Sequence, residues 1–290
     1  MATKKKEAEI IDGKNISEKI LLEARKEIIK TKRHPGLAVI LVGKNPASEL
    51  YVKNKKKACE KVGVNFHEYR CAGECFRDIT EKEIIQMIEF LNNDPAINGI
   101  LVQLPLPKKF NTENIIRAIH PSKDVDGFHP KNRKLFLEEK DVVKSPVVRA
   151  VEEIIDEKYI QTDKKRALII SNSEILGNAL KMLLKKYHCD TRIVSEKNSL
   201  LKKEMKSADI IISALDRPEF ITGNMIKKGS VLIDIGITKT PKGYRGNVDC
   251  NSVKKIASAY TPTPGGVGPL TVAMLIKNTI ELSRKNQYSI

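Results

Sequence analysis

The chain has 290 residues, of which 41 % are hydrophobic and 30 % charged, with five cysteines and no tryptophan. This length suits two modest cores, and no apolar run approaches the roughly 18 residues that cross a bilayer, so a soluble cytoplasmic protein without a membrane partner is expected. Lys and Arg outnumber Asp and Glu by 52 to 36, a formal charge of +16, but the lysines are spread along the chain without interleaved aromatics, which argues against nucleic acid as a partner.

The basic start, Met1–Lys6, is not followed by the apolar stretch of a secretory signal. Ile16, Ile20, Ala24 and Ile28 recur at helical spacing, and Leu37 to Val42 is a continuous strand-type run ending at Gly43. A second helix is predicted from about Ala47 to Lys61, closed by Gly63. A strand at Asn65–Tyr69, a helix around Glu81–Leu91 and the strand-type run Gly99–Gln103 follow. The stretch from Pro121 to Val143 is less regular. A helix near Val147–Ile155 then leads into a second series, with strands at Ala167–Ile170, Thr191–Val194, Ile210–Ser213 and Val231–Ile235, and helices at about Gly177–Lys186 and Leu200–Lys206. The last helix is predicted from Leu270 to about Arg284.

This alternation predicts an α/β protein of two domains, each with a mainly parallel sheet, the distal one Rossmann-like and doubly wound. The expected division is 1–145, completed by a C-terminal helix at 270–290, and 146–269. The cysteines (59, 71, 75, 189 and 250) are odd in number and scattered, so no disulfide framework is expected. Cys71 and Cys75, with His67, lack a third close ligand, and no metal is expected there.

Four segments could carry chemistry. Ser48, Tyr51 and Lys55 share one face of the second helix, and the flanking Lys53, Lys56 and Lys57 would lower the pKa of Lys55 towards a proton-transfer range. On spacing alone, a solvated basic face is the ordinary reading of such a helix. Gln103 ends the run G-I-L-V-Q-L-P-L-P, between Val102 and Leu104, where parallel strands build ligand sites at their carboxyl ends. Asp126, in K-D-V-D-G-F-H-P, is either a ligand-binding carboxylate or a turn former. Thr261–Pro269, T-P-T-P-G-G-V-G-P, holds three glycines and three prolines in nine positions. It is either a linker or a loop whose backbone approaches a flat ligand.

Together these segments resemble the bifunctional methylenetetrahydrofolate dehydrogenase/methenyltetrahydrofolate cyclohydrolase family, from Ile11 to Asn278. The resemblance implies a folate one-carbon enzyme. It would be both a cyclohydrolase and an NAD- or NADP-dependent dehydrogenase, acting on tetrahydrofolate derivatives as a cytoplasmic homodimer. It implies that Lys55 is the acid/base, that Tyr51 stacks on the folate, that Gln103 supports the lysine and that Asp126 binds the pterin ring. Ser48, Val102, Leu104, Pro264 and Gly268 match positions at the substrate.

The distal half departs from the family. The turn G-R-S-x-x-V-G-x-P is here Ser171–Ala179, S-N-S-E-I-L-G-N-A, which keeps Ser173 and Gly177. Ser171 replaces the leading glycine and brings a Cβ that would crowd the turn where backbone must approach pyrophosphate, Asn172 replaces the phosphate-pairing Arg, and Asp216 stands at a glycine position. Ile237 matches a position that contacts the cofactor. Glu196 stands 19 positions after Gly177, where an acidic residue binds the ribose 2′-hydroxyl of NAD, unless it is a solvated loop residue beside Lys197. These departures imply weak or absent dinucleotide binding, with NAD preferred over NADP. The alternative is a cyclohydrolase-only or non-catalytic folate-binding relative.

Overall fold

The computed structural model describes residues 7–71 and 79–285. It divides into two units. One is Ser17–Pro146 with the stretch from Val272 on, and the other is the chain up to Ile16 with Val147–Thr271. Met1–Lys6, Cys75 and positions 286–290 of the expected terminal helix lie outside the described residues.

β1 (Glu9–Ile10) leads into α1 (Gly13–Thr31), which buries Ile16, Ile20, Ala24 and Ile28, the positions that share one helical face. β2 (Gly36–Val42) is buried at every position, consistent with its uninterrupted aliphatic run. α2 (Pro46–Val62) begins at Asn45, whose side chain accepts from the Ala47 and Ser48 N–H groups, and ends at Gly63, left-handed with φ 94°. Next come β3 (Asn65–Cys71), α3 (Glu81–Asn93, entered through a Thr80/Glu83 capping box) and β4 (Gly99–Val102). These three strands pair in parallel in the order β3-β2-β4. α4 (Thr112–Ala118) follows, and α5 (Pro130–Leu137) lies inside the stretch expected to be irregular. Its Pro at the first turn and His129 as N-cap are the local reason it forms.

α6 (Pro146–Ile154) enters the distal unit, followed by β5 (Arg166–Ser171), α7 (Glu174–Lys186), β6 (Asp190–Val194), α8 (Leu201–Ser207), β7 (Ile210–Ala214) and β8 (Val231–Asp234). An antiparallel pair, β9 (Thr238–Thr240) and β10 (Gly243–Arg245), precedes α9 (Cys250–Val253), β11 (Ala259–Tyr260) and α10 (Val267–Lys285). Six strands pair in parallel in the order β1-β11-β8-β7-β5-β6. From β5 the chain steps to β6 on one side and then to β7 on the other. The switch in direction falls between β5 and β7, where doubly wound sheets bind ligands beyond their carboxyl ends.

Two boundaries differ from those expected. The chain up to Ile16 goes with the distal unit rather than the proximal one, because Glu9 and Ile10 pair with Ala259 and Tyr260 at the far end of the sequence. α10 starts at Val267 rather than Leu270, so Gly268 and Pro269 lie in its first turn. The glycines before it serve close backbone packing. A Cβ on Gly13 would come 2.0 Å from Gly266 O, and Lys14 N–H donates to Gly265 O at 2.9 Å.

Candidate active site

The buried face of α2 consists of Ser48, Val52, Lys55, Cys59 and Val62. Lys55 is only 8 % exposed, and its Nζ donates to Gln103 Oε1 at 2.8 Å. Gln103 stands one residue beyond β4, where its N–H donates to Ile40 O at 2.9 Å and continues the β2–β4 ladder. Its Nε2 donates to Leu104 O at 2.8 Å, and Ser48 Oγ donates to that same carbonyl at 3.5 Å. Serine, lysine and glutamine are therefore tied to one short loop, with Val102 buried beneath it and Leu104 half-buried. Tyr51, one turn before Lys55, is half-buried.

Burial pushes the Lys55 pKa down from its ordinary 10.5, against the opposing pull of Asp126 and Cys59. The direction is the expected one, but the cause is not. Lys53, Lys56 and Lys57 are exposed, and it is loss of solvent that disfavours the ammonium. Burial likewise pushes Asp126 up to about 6, even though the Lys55 ammonium draws it down. Cys59 is pushed up to about 12 by burial, so its thiol stays protonated at neutral pH. An amine and a carboxylate are thus both moved towards their neutral forms, which suits proton transfer.

Asp126 is placed by residues that sequence reasoning missed. Ile100 and Asp124 form a parallel bridge, so the 124–126 segment runs beside β4. Gly99 makes room for it, since a Cβ there would lie 2.3 Å from Val125 Cγ1. Asn278, fully buried on α10, donates through Nδ2 to Val125 O at 2.7 Å and Lys144 O at 3.0 Å. Asp124, 1 % exposed, accepts from the N–H groups of Phe128 (3.3 Å) and His129 (2.8 Å) and from Asn132 Nδ2 (3.0 Å). The turn-forming task left open for Asp126 is carried by Asp124 and by Gly127 at φ 67°. The alternating K-D-V-D was the available signal, because period-two spacing puts both aspartates on one face of an extended segment with Val125 on the other.

In the distal unit Ser173 caps α7, accepting from Leu176 N–H at 3.3 Å. Ser171 closes its turn without a left-handed backbone. Its Oγ accepts from Ser173 N–H at 3.1 Å, and its backbone is not among the non-glycine positive-φ positions, Lys32, Glu139, Lys164, His188 and Glu219. Gly177 lets α7 lie close on β6, since a Cβ there would meet Ile193 Cγ2 at 3.2 Å. Ile237 is half-buried after β8, and Asp216 is exposed. The side chain of Glu196 is only 17 % exposed, although Ser195 and Lys197 beside it are exposed. Pro264 is exposed and Gly268 half-buried; both belong to the distal unit. A helix N-terminus at the switch point, a glycine where helix meets strand and an acceptor at the end of β6 fit an adenine dinucleotide.

The family model of the tetrahydrofolate dehydrogenase/cyclohydrolase catalytic domain matches residues 11–126, and that of the NAD(P)-binding domain matches residues 145–287. The chain belongs to the tetrahydrofolate dehydrogenase/cyclohydrolase family. It is 42 % identical over 284 residues to the bifunctional protein FolD of Acetivibrio thermocellus, covering 96 % of this chain and 98 % of that one. The crystal structure of bifunctional FolD from Campylobacter jejuni superposes with a TM-score of 0.89 at 36 % identity, covering 96 % of this chain and 99 % of that one. The Trypanosoma brucei FolD structure, complexed with NADP and an inhibitor, has a TM-score of 0.89 at 29 % identity and covers 97 % and 99 %. The match to the family's NAD(P)-binding domain runs through Ser171, Glu196 and Asp216. The departures are therefore single-position variations on this domain, not its loss.

Proposed function

We propose that this family member catalyses both reactions its family name describes, oxidation of 5,10-methylene-tetrahydrofolate to the methenyl form with NAD(P) and hydrolysis of methenyl to 10-formyl-tetrahydrofolate. The observation that carries the reading is the buried Lys55 Nζ held at 2.8 Å on Gln103 Oε1. In hydrolysis water adds to the methenyl carbon, and Lys55 takes the proton released by the attacking water. As the ring C–N bond breaks, the remaining hydroxyl proton passes through the same amine to the departing nitrogen. Gln103 holds the amine on its line of approach, and Ser48 and Leu104 hold Gln103. Asp126 anchors the pterin as a hydrogen-bonding partner, and Tyr51 offers its ring to the folate. Ser173, Gly177, Glu196 and Ile237 would hold the dinucleotide, which when bound supplies the hydride acceptor for the oxidation.

The test is turnover of purified protein with 5,10-methenyl-tetrahydrofolate alone, and with 5,10-methylene-tetrahydrofolate plus NAD or NADP. Both activities are expected. Hydrolysis without dehydrogenation would reduce the reading to a cyclohydrolase, and neither activity would overturn it. A cytoplasmic homodimer belongs to the same proposal, supported by the family resemblance and read by sedimentation and cell fractionation. Among the described residues no helix is long and apolar enough to cross a membrane.

A further inference from the structure

The register of the distal sheet brings three loops to one edge. Ile170 pairs with Val194 and Ser171 with Ala214, so the residues that follow β5, β6 and β7 emerge side by side. Asn172 comes from the first loop, Glu196 from the second and Arg217 from the third. Asn172 Nδ2 lies 3.4 Å from Glu196 Oε1, and Arg217 Nη1 lies 3.4 Å from Glu196 Oε2. Each carboxylate oxygen thus has its own donor, which leaves further lone pairs on both oxygens for a third partner.

Arg217 is itself held. Its guanidinium stacks over the Phe220 ring at 4.7 Å, and its carbonyl accepts from Asn247 Nδ2 at 3.0 Å. Asn247 is fully buried and also braces Leu215, accepting from its N–H and donating to its carbonyl, both at 2.9 Å. A loop fixed in this way from a buried side chain gives the guanidinium a set position. These contacts account for the low exposure of Glu196, which a solvated loop residue would not show.

We propose that Asn172 and Arg217 clamp Glu196 as a ribose-diol acceptor, and that this clamp makes the chain selective for NAD over NADP. The inference rests on the reading of this unit as a dinucleotide-binding domain. The carboxylate accepts from the 2′-hydroxyl of the adenosine ribose, and the same charge repels a 2′-phosphate at that place. Because the Glu196 carboxylate already holds the Arg217 guanidinium, a phosphate would have to displace that carboxylate to reach it. Glu196 is the specificity-determining residue; Asn172 and Arg217 are positioning residues that act through it.

Calorimetric titration of the full chain with NAD and with NADP, without folate, tests this independently of turnover. Wild type should bind NAD at least about tenfold tighter than NADP. Glu196→Ser should lose about ten- to a hundredfold in NAD affinity and reverse the order, because it removes the acceptor and releases Arg217 to meet the phosphate. Arg217→Met should weaken NAD binding, and Arg217→Lys should restore part of it, with unchanged thermal melting in each variant. Equal or tighter NADP binding by wild type, or a Glu196→Ser variant that keeps the wild-type ratio, would overturn the inference and leave the dinucleotide reading standing. Binding of neither cofactor would overturn both.

Discussion

Replacing Gln103 probes the site at its most informative bond. In Gln103→Leu the Lys55 ammonium loses the acceptor it now has at 2.8 Å, and Leu104 O loses one of its two side-chain donors, keeping Ser48 Oγ at 3.5 Å. A hydrogen bond to a charged group contributes about 1.5–3 kcal/mol. At roughly 1.4 kcal/mol per tenfold in rate, methenyl-tetrahydrofolate turnover should fall about ten- to a hundredfold. The pH profile should move as well. Burial already lowers the Lys55 pKa, and removing an acceptor from the ammonium lowers it further, so the limb set by Lys55 shifts to lower pH. Gln103→Glu works in the opposite sense, since a carboxylate beside the amine favours the ammonium and moves that limb to higher pH. The assay follows loss of methenyl absorbance across pH, with the uncatalysed rate subtracted. Limbs that move the same way in both variants, or do not move, would refute the coupling between these two residues.

Asp126→Asn separates function from stability. The folded pKa of about 6 lies above the ordinary 3.8, so stability falls as pH rises between those values and the cost is fully present at pH 7. The shift of about two units corresponds to at most ~3 kcal/mol. The variant should therefore resist urea better than wild type at pH 7, with the gap closing near pH 4, while its folate dissociation constant rises roughly ten- to a hundredfold. A variant less stable than wild type at pH 7 would contradict the burial argument. Gly99→Ala should destabilise the protein by about 1–3 kcal/mol, because the new methyl meets Val125 Cγ1 at 2.3 Å. Adding Val125→Ala should recover part of that loss, and chemical denaturation of the single and double variants reads the coupling.

The elements legible in the sequence were those with long local signals. α2 carries Asn45 at its start and Gly63 at its end, and the seven-residue spacing of Ser48 and Lys55 places both on one face. β2 and β4 are uninterrupted aliphatic runs. What escaped was set by contacts distant in sequence. The flanking lysines make Lys55 look solvated, and its burial comes from the Gln103 loop packed against α2. The role of Asp124 depends on Asn132 and the backbone beyond Gly127, while Arg217 meets Glu196 only because β6 and β7 both flank β5. β1 and β11 are two residues each, too short to show any period, and their pairing is what moves the start of the chain into the distal unit.

Proton transfer in the proposed hydrolysis rests on Lys55. Lys55→Met nearly keeps the length of the buried side chain and removes the amine; the unpaired Gln103 oxygen costs about 1–3 kcal/mol, relief of the buried ammonium works against that cost, and the fold should survive. The decisive measurement is the rate of methenyl-tetrahydrofolate hydrolysis by this variant, at a temperature well below its melting point. A fall of at least about a hundredfold is expected. A rate within a few-fold of wild type would contradict it.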